Sequence, residues 1–95
     1  MSIQNFRDER CEAIFNGVSP GRRFPTDLVR VTRRKLEMLD AAIVLTDLRA
    51  PPANRLEQLT GDRAGQHSIR VNDQFRICFR WTPLGPADVE FVDYH

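Results

Sequence analysis

Two groups of residues in this sequence carry side chains that can do chemistry unaided. The first is the run Asp93-Tyr94-His95 at the end of the sequence. Histidine moves protons near neutral pH, tyrosine donates a hydrogen bond or stacks on a nucleobase, and an aspartate can orient an imidazole. The second is a set of arginines, Arg70, Arg76 and Arg80, that alternate with apolar residues in two strand-like runs. Arginine holds phosphate in a planar two-point fork and can stabilise charge that develops on a phosphoryl group. Each group also has a plain reading. A terminal histidine can be a frayed end, and Glu90 can lie across the strands as a counter-ion for the three arginines.

Other chemistries are absent from the sequence pattern. There is no serine, histidine and aspartate set with a nucleophile elbow, no paired active-site cysteine and no glycine-rich phosphate loop. Cys11 and Cys78 lie far apart without a ligand at metal-binding spacing, which fits reduced, buried small hydrophobes. His67 and His95 complete no zinc or iron pattern, so no metal and no cofactor are expected. An enzyme made of these residues needs a substrate that brings its own nucleophile. RNA is such a substrate, because its 2′-hydroxyl can attack the adjacent phosphate.

The elements that must position these groups have to fit into 95 residues, room for one domain over residues 1–95. Apolar residues at 41% and charged residues at 28% suit a soluble globular chain rather than a disordered one. No apolar run reaches the roughly 20 residues a membrane helix needs. The first residues lack the basic start and apolar stretch of a secretory signal, so a cytoplasmic location is expected. The net charge of +1 conceals an unusual composition: of 14 basic residues, only Lys35 is not arginine. Codon usage in a GC-rich genome accounts for such a bias, and so does a surface that binds phosphate. The distribution is uneven as well, because arginines gather between Arg55 and Arg80 while residues 81–95 carry Asp88, Glu90 and Asp93 and no base.

The chain changes character near Pro51-Pro52, helical before and strand-like after. Residues 3–7 read as a short first strand. Asp8 is placed to cap a helix running to residue 16, with Gly17 as its left-handed stop. A longer helix over residues 26–43 places Leu28, Val31, Leu36, Leu39 and Ile43 in one apolar stripe. Arg30, Arg33, Arg34 and Glu37 lie elsewhere on it, either as a solvated face or as a face for an acidic partner. Residues 46–49 suggest one further turn. Residues 56–59 are a short strand or an extended connection, and 60–65 a loop. Residues 66–71 and 75–81 form an antiparallel hairpin around Asn72-Asp73-Gln74. In its second arm Phe75, Ile77, Phe79 and Trp81 share one face, and Gln74, Arg76, Cys78 and Arg80 the other. The apolar face must meet the helices, which puts Arg70, Arg76 and Arg80 on the open face. Residues 88–94 form a last strand. The order β-α-α-β-β-β implies an α+β fold with helices on one face of a small antiparallel sheet.

The run from Gly61 to Ile77 (Gly61-Asp62-Arg63-Ala64-Gly65-Gln66-His67-Ser68-Ile69-Arg70-Val71-Asn72-Asp73-Gln74-Phe75-Arg76-Ile77), together with Asp93-Tyr94-His95, resembles the HigB toxins of the RelE/ParE superfamily of bacterial type II toxin–antitoxin systems. The likeness extends to the opening Ile3-Gln4-Asn5-Phe6-Arg7 and to the helix from Leu28 to Leu36. It implies a microbial-RNase-like fold, with two N-terminal helices packed on a small twisted antiparallel sheet. It also implies a metal-independent endoribonuclease that cleaves messenger RNA in the ribosomal A site by 2′-hydroxyl attack. A HigA-type helix-turn-helix antitoxin would neutralise it in a heterotetramer that binds operator DNA, and the free toxin would be monomeric. Arg76 resembles the arginine that holds the scissile phosphate. Asp93, Tyr94 and His95 resemble the C-terminal catalytic group, with His95 in proton transfer, Tyr94 stacking on or orienting RNA, and Asp93 supporting its neighbours. Gln74 stands where related toxins place an amide near the bound codon, and Arg63 is placed to meet RNA phosphate. Arg70 and Arg80 complete the expected RNA-binding set.

The sequence departs from that pattern at one place. Some members carry a basic residue just before the Gly-Asp-Arg sequence, where this chain has Thr60, and a nearby histidine of theirs corresponds to Glu57. The departure implies a milder toxin. Two other activities fit the same resemblance: inhibition of DNA gyrase, as by ParE, and a weakened homologue that acts mainly by binding its antitoxin. The terminal Asp93-Tyr94-His95 speaks against the first, which has no use for it.

Overall fold

A strand in contact with neighbours on both sides must commit one face to the core. In the computed structural model, which describes residues 2–93, that strand is β3 (Phe75–Thr82). It pairs antiparallel with β2 (Gln66–Arg70) on one side and with β4 (Gly85–Asp93) on the other. A two-residue strand, β1 (Glu57–Gln58), adds to the outside of β2, so the sheet order is β1-β2-β3-β4. The expected alternation holds on the core side. Ile77 and Phe79 are fully buried, together with Ile69 of β2 and Val89 of β4.

Two helices cover that face: α1 (Glu9–Phe15) brings Cys11 and Ile14 to the core, and α2 (Val29–Ala41) brings Leu36 and Leu39. The result is the α+β arrangement that the pattern predicts. Helix α1 begins at Asp8, whose Oδ1 accepts the Arg10 backbone N–H at 2.9 Å. It ends before Gly17, which adopts φ +78, a conformation open to glycine at little cost. Burial pushes the Cys11 thiol far above its ordinary range, so it is an inert core side chain.

The second helix is shorter than its apolar pattern. Residues Thr26–Leu28 form a 3-10 turn that feeds α2, and α2 stops at Ala41 because Ala42 is extended (ψ 133). The carboxylate of Asp47 takes up the N–H groups of Ile43 and Val44 at 2.9 and 3.1 Å, which starts a 3-10 turn over Leu45–Arg49. Ile43 therefore leaves the apolar stripe and is 68% exposed. Two polar residues, Thr32 and Lys35, take buried positions on α2 instead.

The expected first strand is also reduced. Residues 4–7 run parallel to β4, with Gln4 N–H donating to the Pro86 carbonyl (2.8 Å) and Arg7 N–H to that of Val89 (3.0 Å). They form only an isolated bridge, Phe6 with Val89. The cause lies in β4. The β3–β4 register shifts between Cys78 and Arg80, and Asp88 takes a left-handed conformation (φ 53). Its N–H then donates to the Asn5 side chain (3.0 Å) rather than to main chain, which interrupts the ladder. Gly85, at φ +130, lets the β3–β4 turn pass against this segment, because a Cβ there would lie 2.3 Å from the Ser2 carbonyl oxygen.

Asp8 joins the two layers. Its Oδ2 accepts from the Phe91 N–H of β4 (3.1 Å) and from Arg10 Nη2 (2.9 Å), while the Arg10 guanidinium sits 5.8 and 5.7 Å from the Phe24 and Phe91 ring centres. Burial raises the Asp8 pKa, but the bonds from the Arg10 side chain and from the Phe91 and Arg10 N–H groups, with the Arg10 charge, outweigh it. The net position is below the usual carboxylate range. This carboxylate therefore stabilises the fold in full above about pH 4, and the contribution is lost as pH falls through its lowered folded-state value. Asp8→Ala should cost about 1–3 kcal/mol in urea unfolding at pH 7 and flatten the loss of stability below pH 4. An unchanged midpoint at pH 7 would show that the cap and the Phe91 bond contribute nothing.

Candidate functional site

On the face of the sheet away from the helices, alternation brings together Gln66, Ser68 and Arg70 of β2 with Arg76 and Cys78 of β3. The sequence reading leaves this face open, and here the structure corrects it. Arg76 is only 8% exposed. Its cover comes from the segment whose character was ambiguous: β1 lies outside β2, and Arg55 just before it turns back in a left-handed conformation (φ 44, ψ 57). The buried guanidinium meets its hydrogen-bonding needs locally, as a dry cation must. Nε donates to Ser68 Oγ at 2.7 Å, and Nη2 donates to the carbonyl oxygens of Arg55 (2.5 Å) and Ser68 (3.4 Å). Nη1 lies 3.8 Å from the Glu57 carboxylate.

Neither Ser68 nor the Arg55 carbonyl stood out in the sequence. The only signal was a small hydroxyl residue, Ser68, placed between Gln66 and Arg70 on the arginine face of its strand. Its Cα partner is Cys78, so Arg76 is its diagonal neighbour across the ladder.

Four predicted residues gather at one end of this sheet. Arg70 is the direct cross-strand partner of Arg76 and is ion-paired with Asp73. Asp93 stands opposite Phe75, and the Gln74 Nε2 donates to Asp93 Oδ2 at 3.1 Å. Tyr94 and His95 lie outside the described residues. Arg63 and Arg80 belong to a second neighbourhood, roughly 13 Å away by the rise of the four β3 residues from Arg76 to Arg80. Arg80 Nε donates to Asp88 Oδ2 at 2.7 Å, and Arg63 Nη1 donates to Glu90 at 2.6 Å and to Gln66 at 3.0 Å. Arg7 lies within 4.0 Å of Glu90 and 3.8 Å of Asp88. Glu90 is thus a partner of Arg63 and Arg7, not the shared counter-ion of Arg70, Arg76 and Arg80. The register shift before Arg80 brings Asp88 to that arginine instead. Bonds from Asn5 and then Arg80 outweigh the small burial of Asp88 and hold its carboxyl below the ordinary range.

The site departures are visible too. Thr60 is exposed, and its carbonyl accepts the Arg63 N–H (3.2 Å) at the 3-10 turn Gly61–Arg63. Glu57 puts a carboxylate beside Arg76 where a base would have added positive charge. A separate cavity of about 210 Å³, lined by Leu45, Thr46, Arg49, Leu56, Gln58 and His67, contains none of the predicted site residues. His67 stacks on Phe79 and burial lowers its pKa, which keeps the imidazole neutral at pH 7. Among the described residues no group of three or more His, Cys, Asp or Glu side chains could hold a metal ion, and no helix is long and apolar enough to cross a membrane.

The arrangement therefore offers two cations side by side on the sheet face away from the helices, with an amide and a carboxylate at the same end of the sheet, which suits a phosphate-bearing ligand. Over residues 4–95 the chain matches the model of a family described as RelE-like toxins of the type II toxin–antitoxin system HigB. It is 41% identical over 90 residues to Toxin HigB-1 of Vibrio cholerae serotype O1, covering 95% of this chain and 94% of that one. It is also 36% identical over 78 residues to an uncharacterized protein of Haemophilus influenzae, covering 82% and 77% respectively. The match spans both helices and all four strands, with Arg76 and Asp93 inside it, and so this chain belongs to the HigB-like family of RelE-type toxins.

Proposed function

We propose that this toxin is a metal-independent endoribonuclease that cleaves messenger RNA in the ribosomal A site, with cytoplasmic ribosomes as its place of work. The observation that carries the reading is the fixed guanidinium of Arg76 at the end of the sheet that also holds Gln74 and Asp93, from which Tyr94 and His95 continue. In the reaction the RNA 2′-oxygen bonds to the adjacent phosphorus and the bond to the 5′-oxygen breaks, leaving a 2′,3′-cyclic phosphate and a 5′-hydroxyl. His95 moves the proton between these oxygens, and Tyr94 orients the RNA. Asp93 and Gln74 support that end of the site. Arg76 holds the phosphate and stabilises its developing charge, and Arg70, Arg63 and Arg80 meet neighbouring phosphates.

The partner reading rests on α2. Arg30, Arg33, Arg34 and Glu37 recur at helical spacing on the side opposite buried Thr32, Lys35, Leu36 and Leu39. Membership of a type II system implies an antitoxin. Arg30, Arg33 and Arg34 have no ion pair among the described residues, unlike the sheet arginines, and like charges three and four residues apart repel. A HigA-type antitoxin with an acidic segment would relieve this repulsion, in a heterotetramer that binds operator DNA, whereas the free toxin is monomeric.

On programmed bacterial ribosomes the wild type should cut a short messenger RNA in the A-site codon, and Arg76→Ala and His95→Ala should each slow cutting by about 100-fold. Well-folded wild type that leaves the RNA intact would remove the nuclease reading and favour a toxin that acts mainly through antitoxin binding, as Thr60 and the Glu57 contact to Arg76 suggest.

Thr60→Lys should speed the same reaction by about tenfold or more, because it returns a cation to the site. Equal rates would mean that Thr60 does not moderate this toxin.

The triple variant Arg30→Glu, Arg33→Glu, Arg34→Glu should remain toxic when expressed but bind co-expressed antitoxin at least tenfold more weakly. Undiminished neutralisation would place the antitoxin elsewhere on the toxin.

A further inference from the structure

We propose that Ser68 is a positioning residue for RNA cleavage, acting through Arg76. The role rests on the nuclease reading above. A long arginine side chain samples many rotamers, and a cation helps a transition state most when its direction is fixed beforehand. In Arg76 the side edge of the guanidinium, formed by Nε and Nη2, is committed to the protein. Ser68 Oγ takes Nε at 2.7 Å, and the Arg55 carbonyl takes Nη2 at 2.5 Å. With that edge fastened, the other end, Nη1, is directed toward the sheet edge at Glu57, 3.8 Å away. That end is the one a phosphate oxygen would meet, in exchange for the Glu57 carboxylate, which is itself 53% exposed and sits on a two-residue strand.

The clamp is tied to the helix layer. Arg55 follows Asn54, which is fully buried and donates through Nδ2 to the carbonyls of Leu48 (3.1 Å) and Ala50 (3.3 Å). Asn54 Oδ1 accepts from Lys35 Nζ on α2. Lys35 is the chain's single lysine, and burial, then the charges of Arg34 and Arg70, depress its pKa. The carbonyl that orients Arg76 is thereby held against α2, while the Ser68 hydroxyl, fully buried in β2, supplies the other point of the clamp.

The test combines a spectrum with a double-mutant cycle. The NMR signal of the Arg76 Nε–H, assigned by its absence in Arg76→Ala, should stand apart from the exposed arginines and exchange slowly. In Ser68→Ala it should move toward them. On programmed ribosomes Ser68→Ala should lower the single-turnover cleavage rate at saturation by about tenfold. Binding of a messenger RNA with a 2′-deoxy nucleotide at the cleavage position should stay within about twofold. In the Arg76→Ala background, Ser68→Ala should cause no further loss, the non-additivity expected when one residue acts through another. If Ser68→Ala fails to fold, as judged by thermal unfolding, Ser68→Cys preserves the volume with a weak acceptor and carries the same expectations. A wild-type rate in the folded variant, or the same fractional loss with and without Arg76, overturns the positioning role alone. Wild type that cannot cleave overturns the nuclease reading and this role with it, even where the Nε–H signal behaves as expected.

Discussion

The two-residue period of β3 is the constraint on which the other features rest. Its odd-numbered residues, above all Ile77 and Phe79, are buried under the helices, so its even-numbered residues must occupy the opposite face. Those residues include Arg76 and Arg80. Because β3 is hydrogen-bonded on both sides, the same period fixes where Arg70, Ser68 and Asp93 stand relative to them. A slip of one residue would send two cations into the apolar core and two large hydrophobic side chains out of it. Core packing and site geometry are therefore one specification, written in eight residues.

The cations divide into three environments, and the near-neutral total charge hides this. On the sheet face beyond the register shift, Arg7, Arg63 and Arg80 share Asp88 and Glu90 in partly solvated pairs. Such pairs are worth little to stability and can be exchanged for other anions. Arg76 is different, since it is nearly dry, with one edge of its guanidinium held by a hydroxyl and two carbonyls and the Glu57 carboxylate 3.8 Å from Nη1. The α2 arginines face water and form no ion pair among the described residues. Each environment suits a different relation to negative charge: exchange, fixed grip and recruitment.

How far the sequence spoke depended on whether a signal was local. Asp8 and Gly17 were legible because a cap and a left-handed stop are decided within a few residues. The alternation from Phe75 to Trp81 was legible for the same reason. The end of α2 was not, since Asp47 competes for the N–H groups of Ile43 and Val44 from beyond the apolar pattern. The burial of Arg76 was hidden more deeply. It depends on Glu57–Gln58, too short to show a period, and on a left-handed Arg55 that no residue preference announces. Ser68 became significant only when register placed it diagonally across from Arg76. The family resemblance singled out Arg76 and the C-terminal run. It said nothing about what holds that arginine in place.

The contacts between the first residues and β4 carry a consequence for the order of events during synthesis. Asn5 bonds to Asp88, 83 positions later, and Gln4 and Arg7 bond to the carbonyls of Pro86 and Val89. Gly85 passes so close to Ser2 that the turn and this segment must settle together. Residues 4–7 thus leave the ribosome well before the strand they pair with, because long-range pairing waits for the far strand. The same far strand leads into Asp93 and the residues after it. A nascent chain cannot dock its opening segment before the strand that carries the site has emerged, and so the finished sheet edge and the finished site arrive together.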